Sequence, residues 1–281
     1  MAVQMSELLA IQRGSLRYEP TRKRVRAQLG DDTVVDSDRA VLVWEPRRVV
    51  PGYAVPAVDI AADIVDPPAP GTDDEHNPAT DAPDTSDYYR IPYWDPRTPF
   101  AVRETPGRPM LLRAPGRRPV EAFLPEDPDL AGMVILDFLG FDTWLEDDDV
   151  VVSHPHDPFA RIDIRGSGKR TTISLDGEVV ADSTRARLLY ETGLPERYYL
   201  PPEDVRVELQ PSATRTTCSY KGTATYFSPV VRGVPVQDFA WSYPEPLVDA
   251  LGVTDRICFF HERMDLSIDG IEQPRPWTPW S

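Results

Sequence analysis

The segment Leu29-Gly30-Asp31-Asp32-Thr33-Val34-Val35-Asp36-Ser37 recurs as Leu175-Asp176-Gly177-Glu178-Val179-Val180-Ala181-Asp182-Ser183. Self-similarity of this kind constrains a fold more than any single motif, because each copy must then be one repeat of the same unit. The register continues through Arg39-Ala40 and Arg185-Ala186, then Glu45 and Glu191. After a one-residue slip, Asp59-Ile60 pairs with Asp204-Val205. Pro119-Val120 and Phe123 match Pro235-Val236 and Phe239, and Phe138 and Asp142 fall where His261 and Asp265 stand. Two copies of one domain are expected, over residues 12–152 and 160–275. A chain of 281 residues accommodates two such domains of ordinary size.

The copies are unequal. The first carries a Pro-rich acidic insert over residues 66–98. Residues 66–87 within it hold seven acidic side chains and no Lys or Arg. Such a composition buries too little apolar surface to offset its ordering entropy, so a loop is expected there. In this alignment Pro125-Glu126-Asp127 stands where the second copy has Trp241-Ser242-Tyr243, and Tyr220-Lys221-Gly222-Thr223-Ala224 has no counterpart. The first copy therefore reads as degenerate, a scaffold for the second.

The second copy concentrates unusual residues in four motifs. They are Ala181-Asp182-Ser183-Thr184-Arg185-Ala186, then Glu191-Thr192-Gly193-Leu194-Pro195 with Arg197-Tyr198-Tyr199-Leu200-Pro201, then Cys218-Ser219-Tyr220-Lys221-Gly222, then Ala240-Trp241-Ser242-Tyr243-Pro244. Their order and spacing, over roughly residues 160–275, closely resemble domain of unknown function 427, a bacterial family also filed under a nucleotidyltransferase-like name. The resemblance implies a β-tent-like fold, the architecture of methionine sulfoxide reductase B and of the drug-binding domain of cereblon, and tandem arrangements are familiar in the family. It implies no established reaction. The expected fold class is mainly β: two tandem β-tent-like antiparallel sheet domains with few short helices.

Thirty-one prolines favour loops and sheet edges over long helices. Asp176-Gly177 is a hairpin signal between Thr171-Thr172-Ile173-Ser174-Leu175 and Val179-Val180-Ala181. Residues 204–209 alternate apolar and polar and predict a half-buried strand. Residues 223–231 and 234–241 predict a hairpin around Arg232-Gly233. Residues 246–251 predict a short helix that Gly252 ends. Residues 256–260 and 264–268, the latter turning at Asp269-Gly270, predict closing strands. Ser6-Glu7-Leu8-Leu9-Ala10-Ile11 reads as a short capped helical turn.

Chemistry is expected around Tyr220-Lys221-Gly222. A lysine flanked by an aromatic ring can present charge in a partly desolvated pocket, and the following glycine permits close backbone approach. Lys221 then binds a carboxylate or phosphate, or acts as a base or amine nucleophile if burial lowers its pKa. Alternatively it snorkels from a strand and Gly222 marks a bulge. Cys218 is a candidate nucleophile through the field of Lys221. However, Thr217 and Ser219 replace the histidine and proline that often flank this cysteine in the family, and the other reading is a packing cysteine. Trp241, Tyr243, Tyr198 and Tyr199 either line an aromatic pocket for a planar ring or fill the core. Glu191, Arg197 and Asp182 are candidates to orient a ligand, with an Arg197–Glu191 ion pair as the structural alternative.

Other chemistries find little in the sequence. The Cys-x-x-Cys pairs of zinc-bearing β-tent proteins are missing, and His154-Pro155-His156-Asp157 reads as connector, so no metal and no cofactor are expected. Gly166-Ser167-Gly168-Lys169-Arg170 is too short for a phosphate-cradling loop. Acidic residues outnumber basic ones 46 to 30, and a net charge of −16 opposes nucleic acid and anionic membranes. Arg22-Lys23-Arg24 is the one cationic run and reads as a solvated strand edge. With no apolar span and two widely separated cysteines, a cytoplasmic protein is expected. The leading expectation is a protein that binds a small planar, anionic or carbonyl-bearing ligand in its second domain. An enzyme using Lys221 and Tyr220 in the same pocket, or an interaction scaffold, are the alternatives. The sequence specifies neither the ligand's identity nor an oligomeric state.

Overall fold

Positive-φ turns set the local geometry. Asp176 and Gly177 adopt φ of 51° and 79°, the combination that matches strand twist in a two-residue hairpin. They join Thr171–Leu175 to Glu178–Ser183. Val25–Leu29 and Asp32–Ser37 form the corresponding hairpin, and the two ladders are interrupted at corresponding places, Ala27/Gln28 and Ile173/Ser174. The computed structural model describes residues 2–68, 94, 98–276 and 278. It divides into two units, residues 1–157 and 158–281. Both are mainly β, antiparallel, with few short helices.

Among the described residues of the first unit, one sheet runs Arg17–Pro20, Val41–Trp44, Gly52–Pro56, Met133–Leu136, Val120–Pro125, Gly107–Arg113, Asp63–Val65. In the second unit the order is Ile162–Gly166, Arg187–Glu191, Arg197–Leu200, Ile257–Phe259, Ala240–Ser242, Gly222–Val231, Leu209–Cys218, with Val234–Pro235 beside Gly222–Val231. Each unit adds a four-stranded sheet. These are Asp149–Val151, Thr143–Glu146, Val25–Leu29, Asp32–Ser37, and Ile271–Gln273, Asp265–Ile268, Thr171–Leu175, Glu178–Ser183. The same polar struts brace both units. Arg24 grips Asp36 and Arg170 grips Asp182. Ser37 and Arg39 hold Asp59, as Ser183 and Arg185 hold Asp204.

Period-two alternation gives the large sheet of the second unit two apolar faces. Leu200, Ala240, Ile257 and Phe259 point toward Ile173, Val180 and Leu266 of the small sheet and form the intersheet core. Burying the leucine, isoleucine, valine and phenylalanine side chains among them stabilises the unit by roughly 1.5–3 kcal/mol each. Their neighbours Tyr199, Trp241 and Cys258 point the other way, with Leu189 and Tyr243, and Ala250 and Val253 cover them. That second surface, here called the outer face, carries the candidate site.

Several expectations from the sequence need correction. Residues 204–209 do not form a strand: Pro202–Asp204 is a 3-10 turn and Val205 makes only an isolated bridge to Ala181. The prolines at 201 and 202 force that turn, and the Ser183/Arg185 grip on Asp204 fixes it. The helix is a 3-10 helix over Val248–Val253, with Gly252 inside it. Gly252 lies against Ile164, which a Cβ would approach to 3.0 Å, so packing rather than termination accounts for the glycine. The hairpin around Arg232-Gly233 pairs only through Val234–Pro235 before the chain leaves and returns as Ala240–Ser242. Ser6 to Ile11 lies within the helix Met5–Gln12. Lys23 and Arg24 of the cationic run pair with Glu146 and Asp36. Most of the acidic insert, residues 69–93 and 95–97, lies outside the described residues.

Candidate functional site

Alternation brings the site together. Glu191 follows Leu189 on one strand's outer face, Arg197 precedes Tyr199 on the next, and Trp241 and Tyr243 lie beyond them. Lys221 enters from the turn between Leu209–Cys218 and Gly222–Val231, where Cys218 pairs with Gly222. Gly222 has φ +88°, and a Cβ there would come within 3.2 Å of the Glu245 carbonyl oxygen. The close approach that requires glycine is thus to the neighbouring chain. The Lys221 carbonyl accepts from Leu247 N–H at 3.2 Å, which seals the turn.

Two ion pairs are buried in this face. Lys221 Nζ donates to Glu191 Oε2, with side chains 11% and 13% exposed. Arg197 grips Glu262 through both terminal nitrogens at 2.7 and 2.6 Å, with side chains 8% and 0% exposed. The anticipated Arg197–Glu191 pair does not form: Arg197 and Lys221 each take a different carboxylate. Burial opposes the charge on Lys221, but the Glu191 carboxylate outweighs it and holds the ammonium above its ordinary range. Burial likewise opposes ionisation of Glu262, and the two bonds from Arg197 reverse that and hold it low. Thr278 Oγ1 adds a third bond to Glu262, at 2.9 Å.

Aromatic rings wall this charge. Arg197 lies 5.5 Å from the Trp241 ring centroid and 5.9 Å from that of Phe260. Trp241 packs on Phe260 at 4.4 Å, and its Nε1 donates to the Tyr199 hydroxyl at 3.1 Å. Burial pushes the Tyr199 and Tyr243 phenols and the Cys258 thiol up, so all three stay neutral. His261 is pushed down to about 4 by burial and by the charge on Arg197. Tyr220 is buried beside Lys221 in the chain. Cys218 is half-buried and, like Cys258, a free thiol.

Glu191, Arg197, Tyr199, Lys221, Gly222, Trp241 and Tyr243 therefore belong to one face and the turn at its edge. Tyr198 points to the opposite face and packs in the intersheet core. Asp182 stands on the small sheet, gripped by Arg170 and Arg206. The sequence reading missed Glu262, His261 and Phe260, which follow a short apolar run with no motif around them. The one available signal was alternation: Cys258 and Phe260 share a parity along that run. No cluster of three or more His, Cys, Asp or Glu suited to a metal occurs among the described residues. No helix among them is long and apolar enough to cross a membrane.

The ladders also shift the correspondence between the two units that the sequence alignment indicates. Phe123 pairs with Ile135 as Trp241 pairs with Cys258, and Ala122 with Leu136 as Ala240 with Phe259. The position of Trp241 thus corresponds to Phe123, two residues before the Pro125 that alignment by sequence indicates. The segments leading into these strands differ in length, which a gapless alignment misplaces. Unit one also retains a buried cation on its outer face. Arg103 pairs with Glu45 at 3.0 Å and lies over the rings of Phe100 and Phe123.

Residues 163–270 match the family model described as domain of unknown function (DUF427), carried under a nucleotidyltransferase-like label. The second unit carries a domain of this family. A search of curated proteins finds no match.

Proposed function

We propose that this is a cytoplasmic tandem-domain protein whose second unit binds one small, planar, carbonyl-bearing molecule at the outer face of its large sheet, the first unit being a diverged copy. The observation that carries this reading is the Lys221–Glu191 pair set among Tyr199, Trp241 and Tyr243. A buried ion pair adds little net stability over apolar packing of the same volume, so its presence beside an aromatic wall supports recognition. Each of the two cations already has a carboxylate partner, which favours a neutral ligand over an anion. An ammonium held above its ordinary range supports hydrogen-bond donation by Lys221 rather than base or amine chemistry.

The test is extraction of small molecules from the purified full chain, followed by mass spectrometry. One planar carbonyl compound per chain is expected. It should be lost from the paired variant Lys221→Met/Glu191→Leu, which removes both charges together. Release of nothing from the wild type, with no fragment in a broad screen perturbing Trp241, overturns the reading.

A further inference from the structure

The first unit shows what its outer-face carboxylate accepts when fully satisfied. Glu45 follows the strand Val41–Trp44 and Glu191 ends Arg187–Glu191, strands second in order in their sheets. The Glu45 carboxylate accepts four hydrogen bonds: from Arg103 Nη1 at 3.0 Å, the backbone N–H groups of Glu104 and Thr105 at 2.7 and 2.8 Å, and the Thr105 hydroxyl at 2.9 Å. By the ladder register, Lys221 and Gly222 stand where Glu104 and Thr105 do. Among the described residues the Glu191 carboxylate accepts one bond, from Lys221 at Oε2, and Oε1 has no partner. The Lys221 ammonium has three N–H groups and directs one of them to a described residue. One carboxylate is closed by its own chain, and among the described residues the other keeps an adjacent donor and acceptor unused.

Resting on the ligand-binding reading above, we infer that Glu191 Oε1 and Lys221 Nζ together read the N–H/C=O edge of a cis-amide, the group shared by lactams, cyclic imides and ureides. The ligand N–H replaces the donors that Glu45 receives from its own chain, and the ligand carbonyl takes a free ammonium N–H. A trans-amide points these groups in opposite directions and reaches only one partner. A carboxylate ligand brings a second negative charge against Glu191. Because the protein pair is net neutral, a neutral ligand leaves no unbalanced charge in the face. Sites built on buried hydrogen-bonding groups discriminate strongly against analogues that leave them unpaired.

Titration calorimetry and ligand-observed NMR on the full chain test this with three probes: hydantoin, 1,3-dimethylhydantoin and benzoate. Hydantoin should bind, dimethylation should weaken it at least tenfold, and benzoate should not compete. Glu191→Gln should weaken hydantoin about tenfold, whereas Thr105→Val in the first unit should leave it unchanged. Equal affinity for the methylated and unmethylated probes, no hydantoin binding, or indifference to Glu191→Gln in folded protein overturns the inference. The methylation contrast needs no variant and so stands whatever Glu191→Gln does to folding. Failure here is distinguishable from failure of the ligand-binding reading, which depends on whether the purified chain releases any planar molecule.

Discussion

The pairing of Lys221 with Glu191 gives the lysine a structural role beside any role in binding. Lys221→Met leaves a carboxylate nearly buried without its partner, which costs about 3 kcal/mol. Adding Glu191→Leu removes that penalty, so the double variant should regain most of the loss in a urea titration. A double variant no more stable than Lys221→Met would show that the two groups do not interact. His261 makes a second residue-scale prediction. Its folded pKa is depressed, to about 4, against about 6.5 in an unfolded chain. Folded and unfolded states bind protons equally above that window. As pH falls from about 6.5 to about 4, only the unfolded state takes up the proton, and stability declines by roughly 2–3 kcal/mol. Phe138 occupies the matching place in the first unit, so His261→Phe should flatten this slope in denaturation midpoints measured across the window. An unchanged slope would assign the effect elsewhere.

The turn at Gly222 shows how an element places a functional group. Its φ of +88° lies where a Cβ is strained, and the Glu245 carbonyl stands within 3.2 Å of that Cβ. Gly222→Ala should therefore lower stability by about 1–2 kcal/mol and displace Lys221, detectable as a lower denaturation midpoint together with weaker ligand retention. A midpoint equal to wild type would mean that the turn tolerates the side chain. Element scale is also where sequence reading was strongest and weakest. Hairpins at Asp176-Gly177 and Asp269-Gly270 were legible because the turn chemistry is local. The strand Leu209–Cys218 was not, because Ser212, Thr214, Thr216 and Thr217 give an edge strand no apolar alternation to read. Residues 204–209 alternate yet form no regular strand, since the turn at Pro202 and the grip on Asp204 override the pattern. Motifs located Lys221, Tyr199 and Trp241. The partner of Arg197 was invisible because Glu262 arrives from a distant part of the chain.

Each unit holds its own buried core, built around residues such as Val25, Val55, Leu112 and Val134 in the first and Ile173, Leu200, Phe259 and Met264 in the second. Domains with separate cores unfold as separate cooperative units. Denaturation followed by two probes should therefore resolve two transitions, and Lys221→Met should shift only one of them. A single coincident transition that moves as a whole with Lys221→Met would contradict this.

The two-faced sheet carries a further consequence, for how such a chain can change. Residues that hold the sheets together and residues of the proposed binding face alternate along the same strands, yet they answer to different demands. Ala54, Phe123 and Ile135 in one unit stand where Tyr199, Trp241 and Cys258 stand in the other, while Val55, Ala122 and Leu136 stand where the equally apolar Leu200, Ala240 and Phe259 do. Exchanging the outer-face members of each strand therefore changes the chemistry of that face without rewriting how the domain folds. On the proposed binding reading, specificity is a removable veneer: transplanting the outer-face set from the second unit to the first is then a route to a chain with two receptors on an unaltered frame.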